Sequence, residues 1–99
     1  MVPAISFDTT SRVLRMTGEV GPEGSVALQT AIEEHSNHRT EPLVVDLTGV
    51  TYLPSAAVGM LFRVGRDFAE VGTSLEFAAA TGSTAQRVLT VCAMPHRAY

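Results

Sequence analysis

Lysine is absent from this 99-residue chain, and its seven basic residues are arginines scattered at positions 12, 15, 39, 63, 66, 87 and 97. With ten acidic residues the net charge is −3, so no basic stripe exists for a phosphate backbone to follow, and direct nucleic-acid binding is not expected. The single cysteine, Cys92, excludes an internal disulfide and fits a reducing compartment. Unbroken apolar runs are short as well. None approaches the roughly 18 residues of a membrane span, and Met1-Val2-Pro3-Ala4-Ile5-Ser6-Phe7 lacks the basic region of a signal peptide. A cytoplasmic protein without membrane insertion is therefore expected.

What is present is a globular composition, 45% hydrophobic and only 17% charged, in a length that makes one domain over residues 1–99. Residues near 4 to 8 and 12 to 18 alternate as two short strands around the turn Asp8-Thr9-Thr10-Ser11, which predicts a hairpin. Gly21-Pro22-Glu23-Gly24-Ser25 punctuates the chain, and Leu28, Ala31, Ile32 and His35 then recur at helical spacing. After a polar loop, Leu43 to Leu47 is nearly continuous in apolar character, which predicts a strand buried on both faces with a parallel neighbour.

A second helix is predicted from Ser55 to Glu70, with Ala57, Met60, Leu61, Val64, Phe68 and Val71 at the spacing of one face and Gly72-Thr73 ending it. Leu75, Phe77 and Ala79 alternate as a strand. Ser83 followed by Gln86 has the capping-box spacing, and Ala85, Val88, Leu89 and Cys92 continue as a third helix that stops before Pro95. The expected fold is α/β, a mixed four-stranded sheet with about three helices in the order β-β-α-β-α-β-α.

Catalytic constellations are weak. Cys92 and His96 are four apart, but the helical pattern points Cys92 inward and Pro95 intervenes. His35 and His38, near Glu34, lack a recognised metal-ligand spacing. Gly18, Gly21 and Gly24 lack the companions of a phosphate-binding loop. No catalytic residue, metal site or cofactor is expected, and an enzyme reading ranks last.

The informative stretch runs from Leu43 to Leu61, where an apolar strand passes through Ser55 into a helix. A helix start presents unpaired N–H groups and a partial positive charge, so a phosphate on Ser55 would be received there. Equally, a serine at that place can be a plain N-cap, its oxygen accepting from an N–H two or three residues on. Both readings stand. Val58 and Phe62, four apart beside the core face, are expected to form an apolar patch for a partner next to Ser55; the alternative is a helix that is simply well buried.

The strand end Val45-Asp46-Leu47, the turn Thr48-Gly49, the aromatic Tyr52, Ser55 and Gly59 match, in order and spacing, the signature of the STAS domain family, and the chain resembles its bacterial anti-sigma factor antagonists. Thr17-Gly18-Glu19-Val20 resembles the family's early Gly-Glu-Leu segment. In the family the acceptor serine follows an Asp and precedes a small polar residue and a Gly; here Pro54 precedes Ser55, and Ala56 and Ala57 follow it. The resemblance implies a partner switch. The unmodified protein binds an anti-sigma factor that is also a serine kinase, and phosphorylation at Ser55 ends the contact. The implied interface includes Glu19, Val20, Pro54, Ala56, Ala57 and Val58, with ATP and magnesium belonging to the kinase. The other implied role is a STAS scaffold without phosphorylation, in a sensor complex or a lipid-moving transporter.

Overall fold

A computed structural model describes residues 4–91 and 95–99. The chain begins with the hairpin, β1 (Ala4–Asp8) against β2 (Val13–Glu19), in an even antiparallel register from Ala4↔Thr17 to Asp8↔Val13. Asp8 shapes the turn, because its Oδ1 accepts from the N–H groups of Thr10 (2.9 Å) and Ser11 (3.3 Å). Arg12 closes it in the left-handed region, at φ 59°, its N–H donating to the Asp8 carbonyl.

Helix α1 (Pro22–His35) starts within the stretch expected to be loop, with Pro22 in its first turn and Gly24 buried inside it. Proline suits that place because its missing N–H would have no helical acceptor and its φ is already helical. Strand β3 (Leu43–Tyr52) is twice the expected length and runs through Thr48 and Gly49, which therefore form no turn. The parallel register with β2 shifts between Arg15 and Thr17, opposite this glycine. A Cβ on Gly49 would lie 2.7 Å from Thr17 Cγ2, so the strands can close only on a residue without a side chain. After β3 come α2 (Ser55–Glu70), β4 (Leu75–Ala79), α3 (Thr84–Val91) and β5 (Arg97–Ala98).

The sheet order is β1-β2-β3-β4-β5, with every pair after the hairpin parallel. Chain order equals spatial order, so each crossover steps the same way, and right-handed crossovers then lay the helices on one face. The buried residues bear this out: Leu14, Met16, Leu43, Val45, Leu47, Phe77 and Ala79 of the strands pack with Leu28, Ile32, Leu61, Phe68 and Leu89 of the helices. The opposite face, with Ser6, Arg15, Thr48, Glu76 and Arg97, is open, so β3 is not covered by helices on both sides as its apolar run predicts. The fifth strand is a further departure from the four expected. It is only two residues long, too short to show alternation.

Candidate functional site

Strands β2, β3 and β4 are parallel, so their C-terminal ends meet at one end of the molecule, and the helix starts lie there too. The Val20 N–H donates to the Tyr52 carbonyl at 2.9 Å, which ties the end of β2 to the end of β3. Leu53 is fully packed in the core, and Pro54 then turns the chain into α2.

Pro54, not Ser55, occupies the N-cap position, in extended conformation and with no side-chain capping bond. Its carbonyl accepts from the N–H groups of Ala57 (2.9 Å) and Val58 (3.2 Å). Ser55 is the first helical residue and is exposed, which removes the plain N-cap reading of its hydroxyl. Among the described residues, the N–H groups of Ser55 and Ala56 have no backbone acceptor. The helix start thus offers two free donors and a hydroxyl to whatever approaches, in the positive field of the helix terminus. No acidic residue occupies its first turn to compensate that field.

The other expected contact residues divide into two layers. Glu19, Ala56 and Phe62 are exposed and Pro54 is half-buried. Val20, Ala57 and Val58 are turned into the core, so their side chains support this surface from beneath and are not available to a partner. Val58 is 2% exposed against 48% for Phe62, and the two form no joint patch. The physical reason is the width of the α2 stripe: this helix packs on α1, on β4 and on α3, and three neighbours need more apolar positions than one.

What continues the surface from Ser55 is a stripe at helical spacing: Gly59, Phe62 and Arg66, with Arg63 beside them, all exposed. A Cβ built on Gly59 meets nothing within 4 Å, so the helix there is a bare shelf open to close approach. Arg63 and Arg66 form no ion pair among the described residues, whereas Arg12, Arg15, Arg39 and Arg97 are all paired. Tyr52, half exposed, is in register with Glu19 on the approach to Ser55. The signal for these residues was present as i, i+4, i+7 and i+11 from Ser55, but an apolar-face reading passes over glycine and arginine.

A second polar feature lies on the open sheet face. There Arg15 Nε donates to Asp46 Oδ2 at 3.0 Å, and the Thr48 N–H donates to Asp46 Oδ1 at 2.8 Å. Burial pushes the Asp46 carboxyl up, but the bonds from Thr48 and the Arg15 guanidinium outweigh it and hold the group below the ordinary aspartate value. The concavity over this pair, about 470 Å³, is lined by Ser6, Asp8, Arg15, Asp46 and Tyr99 among others. It does not reach Ser55, and the Asp-Leu signature is here a clamp at the strand irregularity.

The remaining sequence candidates are His35, His38 and Cys92. His35 stacks on Phe7 with ring centroids 4.2 Å apart, and no group of three metal-binding side chains occurs among the described residues. Cys92 lies outside the described residues, so its orientation and its relation to His96 do too. Among the described residues no helix is long and apolar enough to cross a membrane.

Comparison with known proteins places this geometry. The family model described as Mlab, STAS domain, matches residues 4–94. No curated protein matches the chain. Among solved structures, a chain in the crystal structure of the diguanylate cyclase SiaD with its activator SiaC from Pseudomonas aeruginosa superposes with a TM-score of 0.62 at 19% identity, covering 98% of this chain and 90% of that one. Apo-SiaC from the same organism gives 0.61 at 19% identity, covering 97% and 88%. A further SiaC structure gives 0.61 at 20%, covering 98% and 90%. At such identities the likeness is one of fold, and the family model covers nearly the whole chain. The chain belongs to the STAS domain family.

Proposed function

We propose that this chain is a non-catalytic, cytoplasmic protein-interaction module of the anti-sigma factor antagonist type, docking on an anti-sigma factor of the serine-kinase class and released by phosphorylation of Ser55. One observation carries the reading. Ser55 projects, unbonded among the described residues, from an uncapped helix start flanked by exposed Glu19, Ala56 and Phe62 and half-buried Pro54, with Val20, Ala57 and Val58 packed beneath. A hydroxyl consumed in capping could not be offered to a kinase without disturbing its helix; this one can.

The energetics are adequate. A phosphate on Ser55 adds about −1.5 to −2 charges, and the free N–H groups of the α2 start receive it, so the fold is not threatened. The same charge inside a covered interface is penalised by desolvation. About 2.8 kcal/mol of penalty weakens binding a hundredfold. SiaC, named as the activator of SiaD, is a case of this fold acting through a protein partner.

A second reading is favoured by the run Pro54-Ser55-Ala56-Ala57, which lacks the acidic and glycine neighbours of the family's acceptor. Under it the chain is a permanently bound STAS subunit of a sensor or lipid-transport assembly, and Ser55 is never modified. Incubation with candidate anti-sigma kinases and ATP, followed by intact-mass measurement, separates the two. One phosphate, abolished by Ser55→Ala, is the expected result; no incorporation with any of them leaves the permanent-subunit reading.

A further inference from the structure

The two edges of the sheet are treated differently. At one edge β5 is two residues long, begins with Arg97 and follows Pro95 closely. Shortness, charge and proline are the devices by which proteins stop an edge from recruiting another strand. At the other edge β1 has five residues, Ala4-Ile5-Ser6-Phe7-Asp8, whose one charge, Asp8, stands at the end of the strand; Pro3, which precedes it in the sequence, lies outside the described residues. Its ladder to β2 runs through five consecutive pairs without the shifts seen between β2 and β3, so no bulge turns the edge away. Its outer backbone groups face outward from the sheet, and Ile5 and Phe7, packed against the core, are only partly buried.

We infer that β1 is a self-pairing edge, and that the partner it fits is the β1 of a second copy, antiparallel and centred on Ser6. This register is self-complementary. It sets Ile5 against Phe7 of the other copy, twice, on the helix-covered face, a β-branched residue opposite an aromatic one. Asp8 falls opposite Ala4, and Ser6 opposite Ser6, so no like charges are opposed. Two five-stranded sheets become one. The contact is small, and each copy carries −3, so the dimer is weak and concentration-dependent. Ser55 is not part of the β1 edge, so pairing here leaves the proposed partner surface free.

Sedimentation velocity of the whole chain from about 10 µM to 1 mM, at moderate salt, tests this. The average mass is expected to rise toward twice that of the monomer. Ser6→Glu places two carboxylates across the dyad while giving Arg15, its register partner on β2, an opposite charge, so the fold is retained and association weakens about fivefold or more. A wild type that stays monomeric near 1 mM, or a dimer indifferent to Ser6→Glu, overturns the proposal. Should the variant misfold, amide chemical shifts of the wild type decide alone. Concentration-dependent changes centred on residues 4–8 support the pairing, and changes elsewhere or none overturn it.

Discussion

Helices α2 and α3 both begin at a serine at the same end of the molecule, yet the two serines do opposite things. At α3, Ser83 Oγ accepts from the Gln86 N–H at 3.1 Å while Gln86 Oε1 accepts from the Gly82 N–H at 2.6 Å, a nearly closed capping box. At α2, Pro54 holds the cap position and Ser55 bonds to nothing among the described residues. The difference follows from how each helix is anchored. Among the described residues helix α3 has eight and buries two of them, Ala85 and Leu89, so its start needs the cap. Helix α2 has sixteen and buries Ala57, Val58, Met60, Leu61, Val64 and Phe68, and packing holds its start without one. A serine that stability does not require is free to be used for something else.

Four substitutions sharpen or break this contrast. Leu61→Ala removes a fully buried side chain beneath α2 and is expected to cost about 2–5 kcal/mol in chemical denaturation, the largest effect. Asp46→Asn loosens the strand that feeds α2 and is expected to cost about 1–3 kcal/mol at neutral pH. Its sign with pH is fixed. The folded-state pKa is depressed, so the contribution is complete above the ordinary aspartate value and is lost as pH falls through the lower, folded one. Denaturation curves of wild type and Asp46→Asn are therefore expected to converge in strong acid. Ser83→Ala should cost about 1 kcal/mol, read as a lower melting temperature, because it opens a real cap. Ser55→Ala should change stability by less than about 0.5 kcal/mol. A loss at Ser55 equal to that at Ser83 would return the hydroxyl to a capping role.

Much of this was readable from the chain, and the misses share a cause. The hairpin, the three helices, β4 and the capping residues of α3 follow from periodicity and local chemistry, which the structure preserves. Thr48-Gly49 reads as a turn because glycine breaks strands, whereas its role depends on Thr17 pressing from a neighbouring strand, a contact that no local window contains. Val58 reads as surplus to one sheet contact because the number of neighbours around α2 is a property of the tertiary fold. Ser55 reads as a cap because proline is a poor guess for one; only the backbone angles place Pro54 there, at φ −70° and ψ 155°. Phe62 was legible as an exposed apolar position, whereas Gly59, Arg63 and Arg66, which continue the stripe around it, were obscured because surfaces have no periodic apolar signal of their own.

Charge at position 55 is expected to close a surface that is otherwise open. Affinity for a serine-kinase anti-sigma factor, measured for the wild type, Ser55→Ala and Ser55→Asp, tests it most directly. Wild type and Ser55→Ala are expected to bind alike, with Ser55→Asp weaker by about tenfold or more at an unchanged melting temperature. Three equal affinities, or no binding by any of the three, would contradict it.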